Sequence, residues 1–190
     1  MPLPGTSFRI VDPDTFEELP LGQDGLVLIS GNQVMLGYLN DPQRTARVIR
    51  EEDGLRWYNT GDKGHLSESG FLVIVDRYSR FAKVAGEMVS LSAVEAAAAD
   101  ALDSPAVDLA AAALPDARRG ERIVLLVCGD GVSVEAVRQT LAAADINPLL
   151  RPDTVALVEG IPRLGSGKLD LTRLRALAQQ ACGAADQVSA

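Results

Sequence analysis

The chain has 190 residues, of which 47% are hydrophobic and 23% are charged, with a formal net charge of −8. This length suits one domain with a smaller additional piece, and the composition argues against a disordered chain. The acidic balance opposes non-specific binding of nucleic acid, and no apolar run approaches the roughly 20 residues that a membrane-spanning helix needs.

Residues 1–77 are predicted to form a small, mostly antiparallel β subdomain. Apolar and β-branched residues between turn formers predict strands at residues 8–12, 25–31, 33–38, 56–59, 64–66 and 71–76. Asp41 and Pro42 are typical of a helix N-cap and a first helical residue, so we expect a helix that ends at Arg50. Closely spaced turn signals favour a small barrel or meander.

Residues 78–180 are predicted to form a compact α+β domain with a short sheet flanked by helices, because strands and helices alternate there. A hairpin is expected around Gly86, and Ser92 with Glu95 predicts a capping box that opens a helix ending near Leu102. Further strands are expected at residues 107–114, 122–128 and 154–159, and helices at residues 134–144 and 171–180. Residues 181–190 are expected to form a frayed tail. The whole chain is therefore predicted to be α+β.

Cysteine and histidine are too few to suggest a metal or redox centre. Cys128 ends an apolar run and is interpreted as a buried thiol, whereas Cys182 lies in the predicted polar tail. His65 is the sole histidine, so a zinc site or a His-based triad lacks its components. Residues 1–5 show no signal-peptide pattern. We therefore expect a metal-free cytoplasmic protein.

The first candidate for chemistry is Lys168, on the glycine-rich turn of residues 162–169. Gly165 and Gly167 permit a tight turn and a close approach of the backbone to a ligand. The lysine ammonium suits a phosphate or carboxylate whose charge shifts during a reaction. An exposed turn lysine without a role is the alternative. A Walker A loop is excluded, because Leu169 stands where that loop needs Ser or Thr.

Asp62 and Arg77 form a second candidate pair. Asp62 ends the motif Thr60-Gly61-Asp62 after a predicted strand, where a carboxylate can accept both hydrogens of a vicinal diol. This is the usual way to hold a ribose, and Arg77 can add a polar contact to the same sugar. A simple turn at Asp62 and a surface salt bridge at Arg77 are the alternatives.

A third candidate is the hairpin in which Lys83 and Glu87 bracket Gly86. A glycine at this point lets an extended thiol arm pass along the backbone. The alternative is a glycine required by turn geometry alone. The basic residues near the hairpin and at residues 118–122 are either solvated surface or a docking patch for an acidic protein.

Together the motifs resemble those of the adenylate-forming superfamily, which includes acyl-CoA and acyl-carrier-protein synthetases, luciferases and peptide-synthetase adenylation domains. Leu36-Gly37-Tyr38 is similar to a family segment ending in Gly-Tyr. The segment at residues 58–62 is similar to Tyr-x-Thr-Gly-Asp, and residues 162–168 are similar to the final Ser-Gly-Lys motif. Residues 80–91 resemble the acyl-acyl carrier protein synthetase part of bifunctional 2-acylglycerophosphoethanolamine acyltransferases.

This resemblance implies that ATP activates a long-chain fatty acid as acyl-AMP with release of pyrophosphate. The acyl group would then pass to the phosphopantetheine thiol of acyl carrier protein and, in the bifunctional enzymes, onward to a lysophospholipid. The Mg²⁺ that accompanies ATP would be bound mainly by an N-terminal domain outside this chain. The implied location is the cytoplasm or the cytoplasmic face of the inner membrane.

The resemblance also implies roles for individual residues. Asp62 and Arg77 would contact the ribose, and Lys168 would bridge the acyl carboxylate and the α-phosphate during adenylation. Ser79 falls at the hinge position, where one or two residues absorb a domain rotation. The hairpin at residues 83–87 would then face the thiol tunnel.

Three positions depart from the family's pattern. Ser79 stands where Asp or Lys is usual at the hinge, Asp76 stands where Gly is usual, and Leu26 stands where Glu is frequent. None of these changes removes a proposed catalytic group. They indicate a divergent branch of the superfamily.

The resemblance gives a domain assignment as well. Residues 1–77 would be the last β subdomain of the large N-terminal domain, and residues 78–180 would be the mobile C-terminal domain. The phosphate loop and acyl pocket would lie in the remainder of the N-terminal domain, so we expect the chain alone to be inactive. The alternatives are a non-catalytic module that docks acyl carrier protein and part of an acyl-CoA synthetase that uses free coenzyme A.

Overall fold

The computed structural model describes residues 3–188 of the chain, with side chains as far as residue 183. The chain divides into two compact units, an N-terminal unit (Met1–Ser79) and a C-terminal unit (Arg80–Ala190). Both units combine strands with helices, which confirms the predicted α+β class.

The N-terminal unit is built on one five-stranded antiparallel sheet. Its elements are β1 (Thr6–Val11), β2 (Gly25–Gly31), α1 (Pro42–Val48), β3 (Ile49–Glu52), β4 (Leu55–Leu66) and β5 (Leu72–Arg77). Strands pair in the order β1-β2-β4-β3, and β5 pairs with the far end of β4. A small core, Val11, Leu26, Leu28 and Trp57, packs beneath this sheet. Asp41 caps α1 as predicted, since its Oδ1 accepts the Arg44 amide at 2.9 Å.

Three predictions for the N-terminal unit are wrong. Residues 33–38 form turns instead of a strand, because the amide of Tyr38 donates to Thr45 Oγ1 and that of Val34 to the Gly31 carbonyl. These local bonds replace a strand ladder. The predicted strands at 56–59 and 64–66 are one 12-residue strand, β4, and α1 ends at Val48 because the next residues pair as β3.

The C-terminal unit has a five-stranded sheet between two helical layers. Its elements are β6 (Phe81–Val84), β7 (Glu87–Ser90), α2 (Leu91–Leu102), β8 (Asp108–Asp116), β9 (Gly120–Cys128), α3 (Val134–Ala143), β10 (Thr154–Leu157) and α4 (Leu171–Val188). Strands pair in the order β10-β9-β6-β7, with β8 along β9. Only the β10–β9 pairing is parallel within the described residues.

Alternation along β9 creates two cores on opposite faces of this sheet. Ile123, Leu125 and Val127 pack in a cluster with residues of α2 and α3. Val124 and Leu126 pack in a second cluster with residues of α4. The prediction of a sheet flanked by helices is therefore confirmed.

The helix starts and ends differ from the prediction at two places. Helix α2 is capped by Ser90, whose hydroxyl accepts the Ala93 amide at 3.2 Å, and not by Ser92. The capping box is wrong because Glu95 turns to other partners: its Oε1 accepts the Ala111 amide at 2.7 Å.

The expected frayed tail is the second difference. Helix α4 continues to Val188, and residues 189 and 190 lie outside the described residues. The physical reason is apolar spacing: Leu174, Ala178 and Cys182 recur on one helix face and are all buried in the core beside α4. Cys182 is thus a core residue and not part of a polar tail. Within residues 3–188, no helix has both the length and the apolar character needed to cross a membrane.

Candidate functional site

Asp62 and Arg77 lie side by side on neighbouring strands of the N-terminal unit. They are register partners in the β4–β5 pairing, and Arg77 Nε donates to Asp62 Oδ1 at 2.9 Å. The Arg77 side chain is 65% exposed and that of Asp62 is 24% exposed. The structure therefore brings together the two residues that the sequence predicts as ribose contacts, and it presents them to solvent.

An irregular stretch of β4 aims Asp62. The Thr60 hydroxyl donates to the Val27 carbonyl at 2.8 Å and accepts the Asp62 amide at 3.0 Å. Gly61 has φ 72°, a conformation that favours glycine, and its amide donates to Asn59 Oδ1 at 2.9 Å. These bonds keep β4 continuous through the Thr-Gly-Asp motif, where the sequence suggested a break between strands.

The remaining Asp62 oxygen fits the proposed ligand. Within the described residues, Asp62 Oδ1 is engaged by Arg77, whereas Oδ2 has no protein hydrogen bond. A carboxylate oxygen with open lone pairs can accept the hydroxyls of a ribose diol. For Mg²⁺ the described residues offer no comparable site, because they contain no group of three or more His, Cys, Asp or Glu side chains that could hold a metal ion.

The junction between the two units is a short 3-10 turn, Tyr78–Arg80. Tyr78 is half-buried beside the N-terminal core, and burial, followed by the charges of Asp12 and Asp24, raises the pKa of its phenol. Ser79 is exposed, whereas Arg80 is buried. The predicted hinge residue is therefore the exposed member of a turn whose neighbours are packed.

The hairpin between β6 and β7 presents Lys83, Gly86 and Glu87, all of them exposed. Ala85 and Gly86 both have positive φ, 51° and 93°, as in the two-residue turns that fit the twist of hairpins. A Cβ atom built on Gly86 would have no heavy atom within 4 Å. Turn geometry alone thus accounts for this glycine within the unit, and open space lies in front of it.

A groove of about 370 Å³ lies beside the hairpin, lined by Lys83, Gly86, Arg119, Gly120 and Glu121. The Lys83 amide donates to Glu121 Oε2 at 2.6 Å, and the Ala85 amide donates to the Arg119 carbonyl at 2.8 Å. These bonds tie the hairpin to the turn between β8 and β9. The sequence gives no specific signal for Glu121.

The basic turn after β8 is partly neutralised. Arg119 Nη2 donates to Asp153 Oδ1 at 2.7 Å, which raises the pKa of the guanidinium. The Asp116 carboxylate accepts the amides of Arg119 and Arg118, each at 2.9 Å, and these bonds lower its pKa. Hydrogen bonding to the charged form is the cause of that shift.

Lys168 lies on an exposed turn that is fixed at both ends. The amide of Leu164 donates to the Lys168 carbonyl, and the amide of Gly167 donates to the Leu164 carbonyl, both at 2.8 Å. Arg163, which pairs with Leu169 across the turn, donates through Nη2 to Asp108 Oδ1 at 2.8 Å. The Lys168 side chain makes no hydrogen bond or ion pair with the residues that the structure describes.

The predicted site residues are thus distributed over the two units. Asp62 and Arg77 belong to the N-terminal unit, while the hairpin and Lys168 belong to the C-terminal unit. The residues missed from the sequence are Arg80, which is buried directly after the junction, and Glu95, its partly buried ion-pair partner on α2. Glu95 was interpreted from the sequence as part of a capping box, and its actual partner, Arg80, lies 15 residues away.

No family model matches the chain. The 4-coumarate–CoA ligase of Vanilla planifolia is 36% identical over 172 residues, which cover 88% of this chain and 30% of the relative. The 4-coumarate–CoA ligase 2 of Nicotiana tabacum shows the same identity and coverage. The chain therefore spans about 30% of the length of the curated relatives it matches.

Solved structures lead to the same group of enzymes. ATP-bound MatB from Rhodopseudomonas palustris superposes with a TM-score of 0.74 at 28% identity, covering 92% of this chain and 34% of that chain. The amide bond synthetase McbA from Marinactinospora thermotolerans gives a TM-score of 0.68 at 31% identity, covering 93% and 35%. The chain is therefore related, over most of its length, to the C-terminal part of the adenylate-forming, AMP-binding enzymes.

Proposed function

We propose that this chain is the C-terminal part of an ATP-dependent acid–thiol ligase, which forms an acyl-adenylate and then a thioester. The observation that carries the proposal is Lys168, an exposed cation with no partner among the described residues, on a turn fixed by hydrogen bonds at both ends. Such a charge is free to bind a ligand, and the turn that carries it is held in place by hydrogen bonds. The relatives' names, CoA ligase and ATP-bound MatB, support this class of reaction.

In this proposal Asp62 and Arg77 hold the ribose of ATP. Asp62 uses its second carboxylate oxygen, and Arg77 orients that carboxylate through Nε while its exposed guanidinium adds a polar contact. Lys168 bridges the acyl carboxylate and the α-phosphate, where negative charge is redistributed during adenylation. Mg²⁺ is bound mainly by residues outside this chain.

The two half-reactions need different parts of the C-terminal unit. We propose that rotation at the exposed Ser79 removes Lys168 after adenylation and brings the Lys83–Glu87 hairpin to the thiol. The open space in front of Gly86 and the groove beside it suit an extended pantetheine arm. Hinge rotations of this kind commonly gate turnover.

The thiol donor is either free coenzyme A or the phosphopantetheine of acyl carrier protein. The curated relatives are CoA ligases by name, which supports coenzyme A. The resemblance of residues 80–91 to acyl-acyl carrier protein synthetases supports the carrier protein, with a fatty acid substrate and, in a bifunctional enzyme, a lysophospholipid acceptor. Offering both thiols to the whole ligase, with product measured for each, separates these two acceptors.

The remainder of the N-terminal domain is the proposed partner of the N-terminal unit. Leu36 and Leu39 are each 91% exposed on the rim of a cleft of about 680 Å³. Phe71 and three successive residues of β5, Val73–Val75, are also exposed. Such apolar surface marks a contact with another body. The chain alone is therefore proposed to be inactive.

The test is the Lys168→Ala variant of the whole ligase, assayed in each half-reaction. Removing one well-placed stabilising group typically lowers a rate by about 10²–10³-fold, and we expect this loss in ATP–pyrophosphate exchange. Thioester formation from supplied acyl-adenylate should be largely retained. Arg175→Ala removes an exposed cation from α4 and serves as the control, with both half-reactions unchanged. Equal losses in both half-reactions of Lys168→Ala would contradict the assigned role.

A further inference from the structure

Arg80 is the only buried charged residue among those whose side chains the structure describes, with a relative exposure of 7%. It is also the first residue of the C-terminal unit, directly after the exposed Ser79. A buried guanidinium is costly unless it is paired and hydrogen-bonded. The proposed reaction does not account for the burial of Arg80.

Three hydrogen bonds join Arg80, Glu95 and Ala111 to one another. Arg80 Nη2 donates to Glu95 Oε2 on α2, and Nη1 donates to the Ala111 carbonyl of β8 at 3.3 Å. The other carboxylate oxygen of Glu95, Oε1, accepts the Ala111 amide at 2.7 Å. The first residue after the junction is thus connected to a helix and to an edge strand of its own unit.

The position of β8 at the edge of the sheet explains why these hydrogen bonds hold Arg80 firmly. Among the described residues β8 pairs with β9 alone, so its other edge presents unpaired backbone groups. Ala111 is completely buried on β8, and the two side chains satisfy its N–H and C=O groups. Losing either side chain leaves buried polar groups without partners, which strongly disfavours the altered arrangement.

The same strand also reaches the Lys168 turn. Asp108, at the start of β8, accepts a hydrogen bond from Arg163 Nη2 at 2.8 Å, and Arg163 closes the turn through its pairing with Leu169. One strand therefore carries the anchor of the junction at Ala111 and the anchor of the lysine turn at Asp108. A strand paired along its whole length to β9 acts as a rigid connection between the two.

We propose that Arg80 is a positioning residue. Its pair with Glu95 fixes the first residue of the C-terminal unit to β8, so that backbone rotation is confined to the residues before Arg80 and the Lys168 turn follows that rotation as one body. This inference rests on the proposed function for the meaning of the rotation. The anchoring itself is a property of this chain and is measurable without any catalysis.

Backbone ¹⁵N relaxation on this chain tests the anchor. In the wild-type chain, the amides of Arg80 and Phe81 should be as rigid as those of β8, with faster motion limited to Ser79. In Arg80→Met, residue 80 should become as mobile as Ser79, and hydrogen exchange of the Ala111 amide should accelerate about tenfold or more. Arg138→Met, the same substitution at an exposed site on α3, should change neither measurement.

Two results overturn the proposal: Arg80 and Phe81 as mobile as Ser79 in the wild-type chain, or an unchanged junction in a folded Arg80→Met variant. If Arg80→Met does not fold, the double variant Arg80→Met with Glu95→Gln removes both charges and keeps an acceptor for the Ala111 amide. A mobile junction in the folded double variant supports the anchor, and a rigid one overturns it.

Kinetics of the whole ligase separate positioning from simple stabilisation. Misplacing a catalytic group by about 1 Å can cost about 10²-fold, and we expect this loss in the kcat of pyrophosphate exchange for Arg80→Met. The KM for ATP should be unchanged, because Asp62 and Arg77 belong to the other unit. Arg80→Lys, which keeps one donor for Glu95, should recover part of the rate. A wild-type ligase without exchange activity would refute the proposed function and leave the relaxation result standing.

Discussion

The two units hold their candidate residues in different ways. In the N-terminal unit, Asp62 and Arg77 lie on paired strands and bind each other. In the C-terminal unit, Gly86 and Lys168 lie on turns with open space around them. The first arrangement is suited to holding a ligand in one geometry. The second is suited to presenting groups that must approach and leave.

This difference separates the expected effects of substitutions. A change in the N-terminal unit should weaken nucleotide binding and therefore affect every step in which the nucleotide is bound. A change on a turn of the C-terminal unit should affect one half-reaction and spare the other.

The largest expected effect in this comparison is that of Gly86→Trp on thioester formation. An indole in the open space before the hairpin should displace the thiol, and a misplacement of about 1 Å can cost about 10²-fold. Pyrophosphate exchange should be unchanged, because the proposed mechanism does not use the hairpin in adenylation. Both rates are measured in the whole ligase.

Gly131→Trp is the matched control for this variant. Gly131 also belongs to the C-terminal unit, has a positive φ of 73° and has nothing within 4 Å of a Cβ atom built on it. Backbone strain of the two variants is therefore similar. Loss of thioester formation in both would indicate strain, and unchanged thioester formation in Gly86→Trp would refute the tunnel assignment.

The next effect is expected in the N-terminal unit, from Asp62→Ala. Hydrogen bonds to a charged group contribute roughly 1.5–3 kcal/mol, so the KM for ATP should rise about 10- to 100-fold. Stability should change little, since partly exposed ion pairs such as Asp62–Arg77 contribute at most about 1 kcal/mol. Asp14→Ala, at an exposed carboxylate of the same unit, should leave the KM unchanged.

One result would contradict the role assigned to Asp62. An unchanged KM for ATP, with the variant folded in urea titrations, would show that Asp62 does not hold the nucleotide. The comparison between the units would then fail, because the strand-held pair would be no more than a surface salt bridge.

Local signals predicted much of the fold. Strand β2 was predicted with its observed bounds, and the Asp41 cap and the turn at Gly86 were also predicted, since each depends on residues close in sequence. The errors at residues 33–38 and at Ser92 arise where a side chain finds an unexpected partner. Thr45 binds the Tyr38 amide, and Glu95 binds Arg80, instead of forming the local patterns that were expected.

The candidate site shows the same limit. Asp62 and Arg77 were predicted to contact the same sugar, but their hydrogen bond to each other was not predicted, since it depends on the register of β4 with β5. The anchor of Arg80 on Glu95 and Ala111 joins three segments that are remote in sequence, so no spacing rule could predict it. Helix α4 was predicted too short because its apolar face continues into residues that look polar on average.

A smaller effect is expected at the turn of the C-terminal unit that contains Asp116. Backbone amides lower the pKa of Asp116 from 3.8 in the folded chain, so its charge stabilises the fold at pH values above 3.8. This contribution is lost as the pH falls through the folded pKa. The stability advantage of the wild-type chain over Asp116→Asn should be constant above about pH 5 and should shrink below it.

Denaturant titrations of both chains between about pH 3 and pH 7 measure this difference. Taking the difference between wild type and variant removes the contribution of the other carboxylates, which titrate in both chains. A difference that grows as the pH falls would have the wrong sign and would contradict the assigned hydrogen bonds to the amides of Arg118 and Arg119.

The smallest effect is expected for the stability of Lys168→Ala. Because Lys168 is exposed and has no partner among the described residues, its removal should change the free energy of unfolding by less than about 0.5 kcal/mol. Leu174→Ala, in the buried face of the following helix, is the contrasting variant and should cost about 2–5 kcal/mol. A loss above about 1 kcal/mol in Lys168→Ala would show that the lysine supports the fold. A lysine that supports the fold is not free to approach and leave a reaction centre, so the contrast between the two units would fail at this turn.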